Sequence, residues 1–124
     1  RASGLWIATA AGSTGGIYSS GGDFLPLDAD QAVFHVREPY WTDKMRPNLL
    51  KGRINRTETL VIQSNMTDAE VFIDGPHKMF AFGLGETLEV CLSDQPLWLF
   101  DGPCLNENRK KIILRRQLIR KALG

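Results

Sequence analysis

Between residues 31 and 92 the chain is cut into short runs of β-favouring residues, each closed by turn formers. Residues 31–36, 59–64, 69–74, 77–82 and 87–92 are such runs. Asn65-Met66-Thr67-Asp68, Asp74-Gly75-Pro76, Gly83-Leu84-Gly85 and Ser93-Asp94-Gln95-Pro96 punctuate them. In residues 87–92 the alternation is plain, with Leu88, Val90 and Leu92 on one face, the period of a half-buried strand. Residues 5–8 add a strand before this series and residues 97–100 one after it. Short strands at close spacing with Gly, Pro and Asp between them specify a mainly β domain, antiparallel and sandwich-like. The polar separator at residues 65–68 predicts a hairpin between the strands on either side of it.

Two segments depart from this pattern. Residues 39–56 are polar and irregular and read as a long loop. After Asp101-Gly102-Pro103, residues 109–123 read as a helix, with Ile112, Leu118, Ile119, Ala122 and Leu123 at helical spacing and Asn106 or Asn108 as the N-cap. Residues 105–124 hold seven Lys or Arg and one Glu, about +6, whereas the rest of the chain sums to about −5. The formal net charge of +1 hides this asymmetry. The expected organisation is therefore a β-rich domain over residues 1–104 and a basic amphipathic tail over 105–124. The tail is expected to lay its apolar stripe on the body. The competing use is recruitment of a partner.

With 124 residues and 43% hydrophobic content the chain is long enough for one packed core and too apolar for disorder. No apolar run reaches the roughly 20 residues of a membrane-spanning helix. Cys91 and Cys104 are too few for a disulfide framework, and Cys91, inside an alternating run, is expected to be a buried thiol. His35 and His77 have no partners at metal-ligand spacing and are expected to be structural or surface residues. Asn55-Arg56-Thr57 and Asn65-Met66-Thr67 fit the glycosylation triplet, a pattern common by chance. The chain opens Arg1-Ala2-Ser3 without a Met or a signal-peptide pattern, as a piece of a longer protein would.

The segment richest in ligand-binding chemistry directly follows the first strand. It runs Thr9-Ala10-Ala11-Gly12-Ser13-Thr14-Gly15-Gly16-Ile17-Tyr18-Ser19-Ser20-Gly21-Gly22, with five glycines among Ser and Thr side chains. Glycine lets the backbone turn tightly and approach a ligand, and hydroxyls can bond ribose or phosphate oxygens. No Gly-Lys-Ser/Thr follows, so this is not a Walker A loop. Composition alone favours a plain turn or helix cap here.

In order and spacing, the chain resembles the C-terminal domain of the NAD kinase family over residues 3–100. Gly12-Ser13-Thr14, Ser19 and Gly21-Gly22 match the family's glycine-rich motif. Val71-Phe72-Ile73-Asp74-Gly75 matches its strand ending in Asp-Gly. Leu84-Gly85-Glu86-Thr87-Leu88-Glu89-Val90 and Pro96-Leu97-Trp98-Leu99 match its last two strands. The motif's Tyr falls on Gly16 here, and Ser3-Gly4 stands where the family has Asp-Gly. Thr9-Ala10-Ala11-Gly12-Ser13-Thr14 and Val36-Arg37-Glu38-Pro39 look closest to the divergent plant-type NADH kinase branch.

The resemblance implies an NAD(H)-binding domain of an enzyme that phosphorylates the adenosine ribose 2′-hydroxyl of NAD(H). ATP and a divalent cation such as Mg would be handled by an N-terminal α/β domain carrying a Gly-Gly-Asp-Gly motif, which this chain lacks. Catalytic residues are accordingly expected outside this chain, and the chain alone is expected to be inactive. Thr14 and Ser19 are the leading dinucleotide contacts, supported by Gly12 and Ser13. Asp74, with Gly75, would bond a ribose hydroxyl or the adenine amine, and Glu38 would line the pocket. A homo-oligomer in the cytoplasm or an organelle is expected, with no nucleic acid and no membrane span. The alternative reading is a non-catalytic β-sandwich module whose basic helix binds a partner.

Overall fold

A computed structural model describes residues 2–42, 44, 47–98 and 105–122. The chain is mainly β and its strands pair antiparallel in three small sheets. It divides into two compact units, one of residues 1–53 with 93–124 and one of residues 54–92. Among the described residues no helix is long and apolar enough to cross a membrane.

The first unit is built on β1 (Gly4–Thr9) and β2 (Gln31–Arg37), which pair antiparallel from Gly4 opposite Arg37 to Thr9 opposite Ala32. Strand β3 (Lys51–Asn55) joins the free edge of β2. The sequence analysis assigned this stretch to a loop, and the correction has a physical basis. Its inward positions are Gly52 and Ile54, while Lys51, Arg53 and Asn55 face solvent. Gly52 gives no hydrophobic signal, yet a Cβ there would come within 2.7 Å of the Phe34 ring. Packing of the ring requires the missing side chain. The core of this unit is Ala10, Ile17, Leu25 and Val33, with Ala8 and Ala29 against it. Val33 of β2 is fully buried.

In the second unit β4 (Leu60–Gln63) pairs with β7 (Thr87–Val90), and β5 (Ala69–Ile73) pairs with β6 (Lys78–Phe82). The expected hairpin across residues 65–68 does not form. Ser64 prevents it. Its N–H donates to Glu86 O at 2.9 Å and its carbonyl accepts from Gly85 N, so the chain leaving β4 is tied to the approach to β7. Its buried hydroxyl accepts from Met66 N at 3.2 Å and also lies 3.1 Å from the carbonyls of Met66 and Phe82. The hairpin instead closes through Asp74-Gly75-Pro76-His77, where Asp74 has φ +53° and Gly75 φ +94°. Asp tolerates the left-handed region better than most residues because its short side chain can bond locally.

Three further expectations change. Cys91 is exposed rather than buried. In a strand of period two it has the opposite parity to Leu88 and Val90, which face inward. Leu97 and Trp98 lie outside any strand, and the remainder of that expected strand, with Cys104 and the Asp101-Gly102-Pro103 turn, lies outside the described residues. Helix α1 (Gly16–Ser19) is a single turn, and helix α2 (Leu105–Ala122) starts earlier than expected, so Asn106 and Asn108 lie within it rather than capping it.

Candidate functional site

The glycine-rich segment leaves β1 at Thr9, passes through a 3₁₀ turn at Gly12–Thr14, and continues into α1. Gly15 N donates to Gly12 O at 3.0 Å, and Gly15 O in turn accepts from Tyr18 N and Ser19 N at the start of α1. The exit is equally fixed, with Gly22 N on Ile17 O at 2.9 Å. A Cβ on Gly22 would stand 2.7 Å from Ile17 Cγ1 and 2.8 Å from Ile17 O. Gly21 takes φ +107°, a conformation that side chains resist. These two glycines let the segment fold back under α1. Below them His35 Nε2 donates to Ser20 O at 3.0 Å.

Ser13 is the pivot of the segment. It is fully buried. Its hydroxyl donates to Ala10 O at 2.9 Å and accepts from Leu25 N at 2.8 Å.

 

This one hydroxyl joins the 3₁₀ turn to the backbone at Leu25, where the side chain is also buried. The opposite side of the segment is open. Gly12, Gly15, Gly16 and Ser19 are exposed and Thr14 is half-buried, so glycine backbone and two hydroxyl side chains share the accessible face. Trp6 of β1 borders this face. Its ring lies 3.4 Å from where a Gly16 Cβ would be, and the Arg37 guanidinium sits 5.2 Å from its ring centroid, within cation–π range.

Helix α2 reaches the same segment from behind. Arg109 Nη2 donates to Ala10 O, to Leu25 O at 3.1 Å and to Ser13 Oγ at 3.2 Å, and Nη1 donates to Ala11 O at 3.2 Å. Burial lowers the pKa of this guanidinium from its ordinary value. The expectation that α2 lays its apolar stripe on the body is corrected at Ile112 and Leu118, which are about half exposed or more. Farther along, Gln117 and Lys121 join Tyr18, Gly22, Phe24 and Arg53 around an open pocket of about 570 Å³ beside the end of the segment.

The predicted site residues fall in three places. Gly12, Ser13, Thr14 and Ser19 are together on the glycine-rich segment. Glu38 follows β2 with φ +40°, and its carboxylate lies 3.7 Å from Arg37 Nε. Asp74 and Gly75 form the β5–β6 turn of the second unit. Arg109 and Trp6 escaped the sequence reading. Arg109 is one of seven cations in its tail, and Trp6 reads as an ordinary strand residue. Among the described residues no group of three His, Cys, Asp or Glu side chains could hold a metal ion.

Two curated relatives carry the comparison. The chain is 33% identical over 97 residues to a protein named "Probable NADH kinase" from Oryza sativa subsp. japonica, and 32% identical over 97 residues to "NADH kinase" from Arabidopsis thaliana. Each match covers 78% of this chain and 30% of the relative. No family model matches the chain, and no solved structure does. Over the shared stretch, this chain belongs to the NAD kinase family, on its plant-type branch.

Proposed function

We propose that this chain is the dinucleotide-binding domain of an NAD(H) kinase and that it presents the adenosine ribose 2′-hydroxyl of NAD(H) for phosphorylation. The observation that carries this reading is the open face of the segment, where Gly12, Thr14, Gly15, Gly16 and Ser19 lie together on a backbone held from below by Ser13. The names of the two plant relatives support it.

In this reading Thr14 and Ser19 bond the ribose or phosphate oxygens, and Gly12 lets the ligand approach the backbone. Ser13 acts indirectly, by holding the turn. Asp74 and Gly75 receive a ribose hydroxyl or the adenine amine, and Glu38 lines the pocket. Phosphoryl transfer depends on positioning and charge stabilisation, so a domain that fixes the acceptor hydroxyl contributes orientation. ATP, the divalent cation and the base belong to the remainder of the parent.

A titration of NADH into the chain, followed by its fluorescence, tests the binding step. Saturable binding that weakens in Thr14→Val and Asp74→Ala is the expected outcome. Absence of binding, combined with absence of NADP(H) formation in every complete form of the parent, would sink the proposal. The exposure of Ile112, Leu114 and Leu118 on a basic helix favours a second reading, a module that docks a partner through α2. That reading predicts no NADH binding and loss of partner capture when residues 105–124 are removed.

A further inference from the structure

We infer that Arg109 is a positioning residue of the dinucleotide site, and that α2 is thereby part of that site rather than an appended tail. This rests on the function proposed above. The guanidinium meets four oxygens, those of Ala10, Ala11, Ser13 and Leu25, all belonging to the glycine-rich segment and the strand of chain that Ser13 ties to it. The contact is built, since Ser13 and Leu25 are almost completely buried and Arg109 Nε is itself buried without a hydrogen-bond partner. By contrast, Ile112, Leu114 and Leu118 remain at least half exposed or nearly so, which leaves the guanidinium as the prominent fastening of this helix among the described side chains.

The geometry has a direct effect on the ligand face. A trans peptide is planar, with its C=O and N–H pointing in opposite directions. Drawing the carbonyls of Ala10 and Ala11 toward Arg109 therefore turns the N–H groups of Ala11 and Gly12 away from it. Both residues are exposed. Successive N–H groups presented this way form a partial positive concavity suited to a phosphate or ribose oxygen. A buried cation behind the segment thus sets the direction of donors in front of it. Lysine has no planar fork with which to hold several oxygens at once.

The test uses the full 124-residue chain with Arg109→Ala, Arg109→Lys and, as a charge control on the same helix, Lys110→Ala. NADH affinity is read by fluorescence titration and loop order by amide hydrogen exchange at Leu25, with circular dichroism to verify folding. Arg109→Ala is expected to weaken NADH by about tenfold and to speed exchange at Leu25. Arg109→Lys should recover little, millimolar guanidinium ion should restore part of the affinity to Arg109→Ala, and Lys110→Ala should match the parent chain. Unchanged affinity and exchange in Arg109→Ala would overturn the proposal, as would an equal loss in Lys110→Ala. Should the parent chain bind no NADH, the proposed function fails by itself. Exchange at Leu25 then judges the fastening alone, faster exchange in Arg109→Ala upholding it and unchanged exchange overturning it.

Discussion

Ser13 shows how one hydroxyl can matter more to a binding loop from inside than from its surface. It is fully buried, donates to Ala10 O and accepts from Leu25 N and Arg109. Ser13→Ala leaves the Leu25 N–H without this acceptor in a closed environment, while Ala10 O keeps its bond from Arg109. It should cost about 1–3 kcal/mol, read by denaturant unfolding. Gly22→Ala drives a methyl group into Ile17 and should destabilise by a similar amount, about 1–3 kcal/mol. Asp74 permits a separation of roles. Asparagine also tolerates the left-handed turn, so Asp74→Asn should keep the unfolding midpoint while weakening NADH if the carboxylate holds a ribose hydroxyl. Unchanged NADH affinity in that variant would remove Asp74 from the site. The glycine-rich motif was legible as a candidate because its residue types announce close backbone approach. The inward use of Ser13 was not, because a buried and an exposed Ser look alike in a sequence.

At the scale of elements, short apolar runs closed by turn formers revealed β1, β2 and β4 to β7, with plain alternation in β7. Strand β3 was hidden by Gly52, whose inward position is filled by the ring of Phe34. Pairing was less legible than strand existence. The turn formers at residues 65–68 promised a hairpin, and the hydrogen bonds of Ser64 gave the edge of β4 to β7. For α2 the amphipathic pattern located the helix but not its attachment, because a guanidinium that seeks backbone oxygens leaves no periodic trace. Removal of residues 105–124 should therefore weaken NADH to the level of Arg109→Ala. A truncated chain that binds NADH as the parent does would separate the helix from the site.

For the whole molecule the decisive dimension is length. The chain spans 30% of the plant relatives it matches. It should bind NADH and, supplied with ATP and a divalent cation, form no NADPH. Joined to the upstream part of its parent it should form NADPH, measured by the change from NADH to NADPH in an enzymatic cycling assay. Turnover by the isolated chain would place the phosphate-donor machinery within it. Charge adds a further expectation. Guanidinium groups keep their proton across the working range of proteins, so the lowered pKa of Arg109 leaves the fastening of α2 independent of pH near neutrality.

The chain also carries its own optical reporter. Of its three tryptophans, Trp41 and Trp98 are 53% and 81% exposed, so their emission is dominated by water. Trp6 is 39% exposed, with its ring beside Gly16 and a cation over its face. The absence of a side chain at Gly16 leaves that indole open toward whatever settles on the segment. Nicotinamide in its reduced form absorbs where tryptophan emits, so occupancy of the loop can be watched as a loss of indole light, and Trp6→Phe should darken that signal without touching the other two.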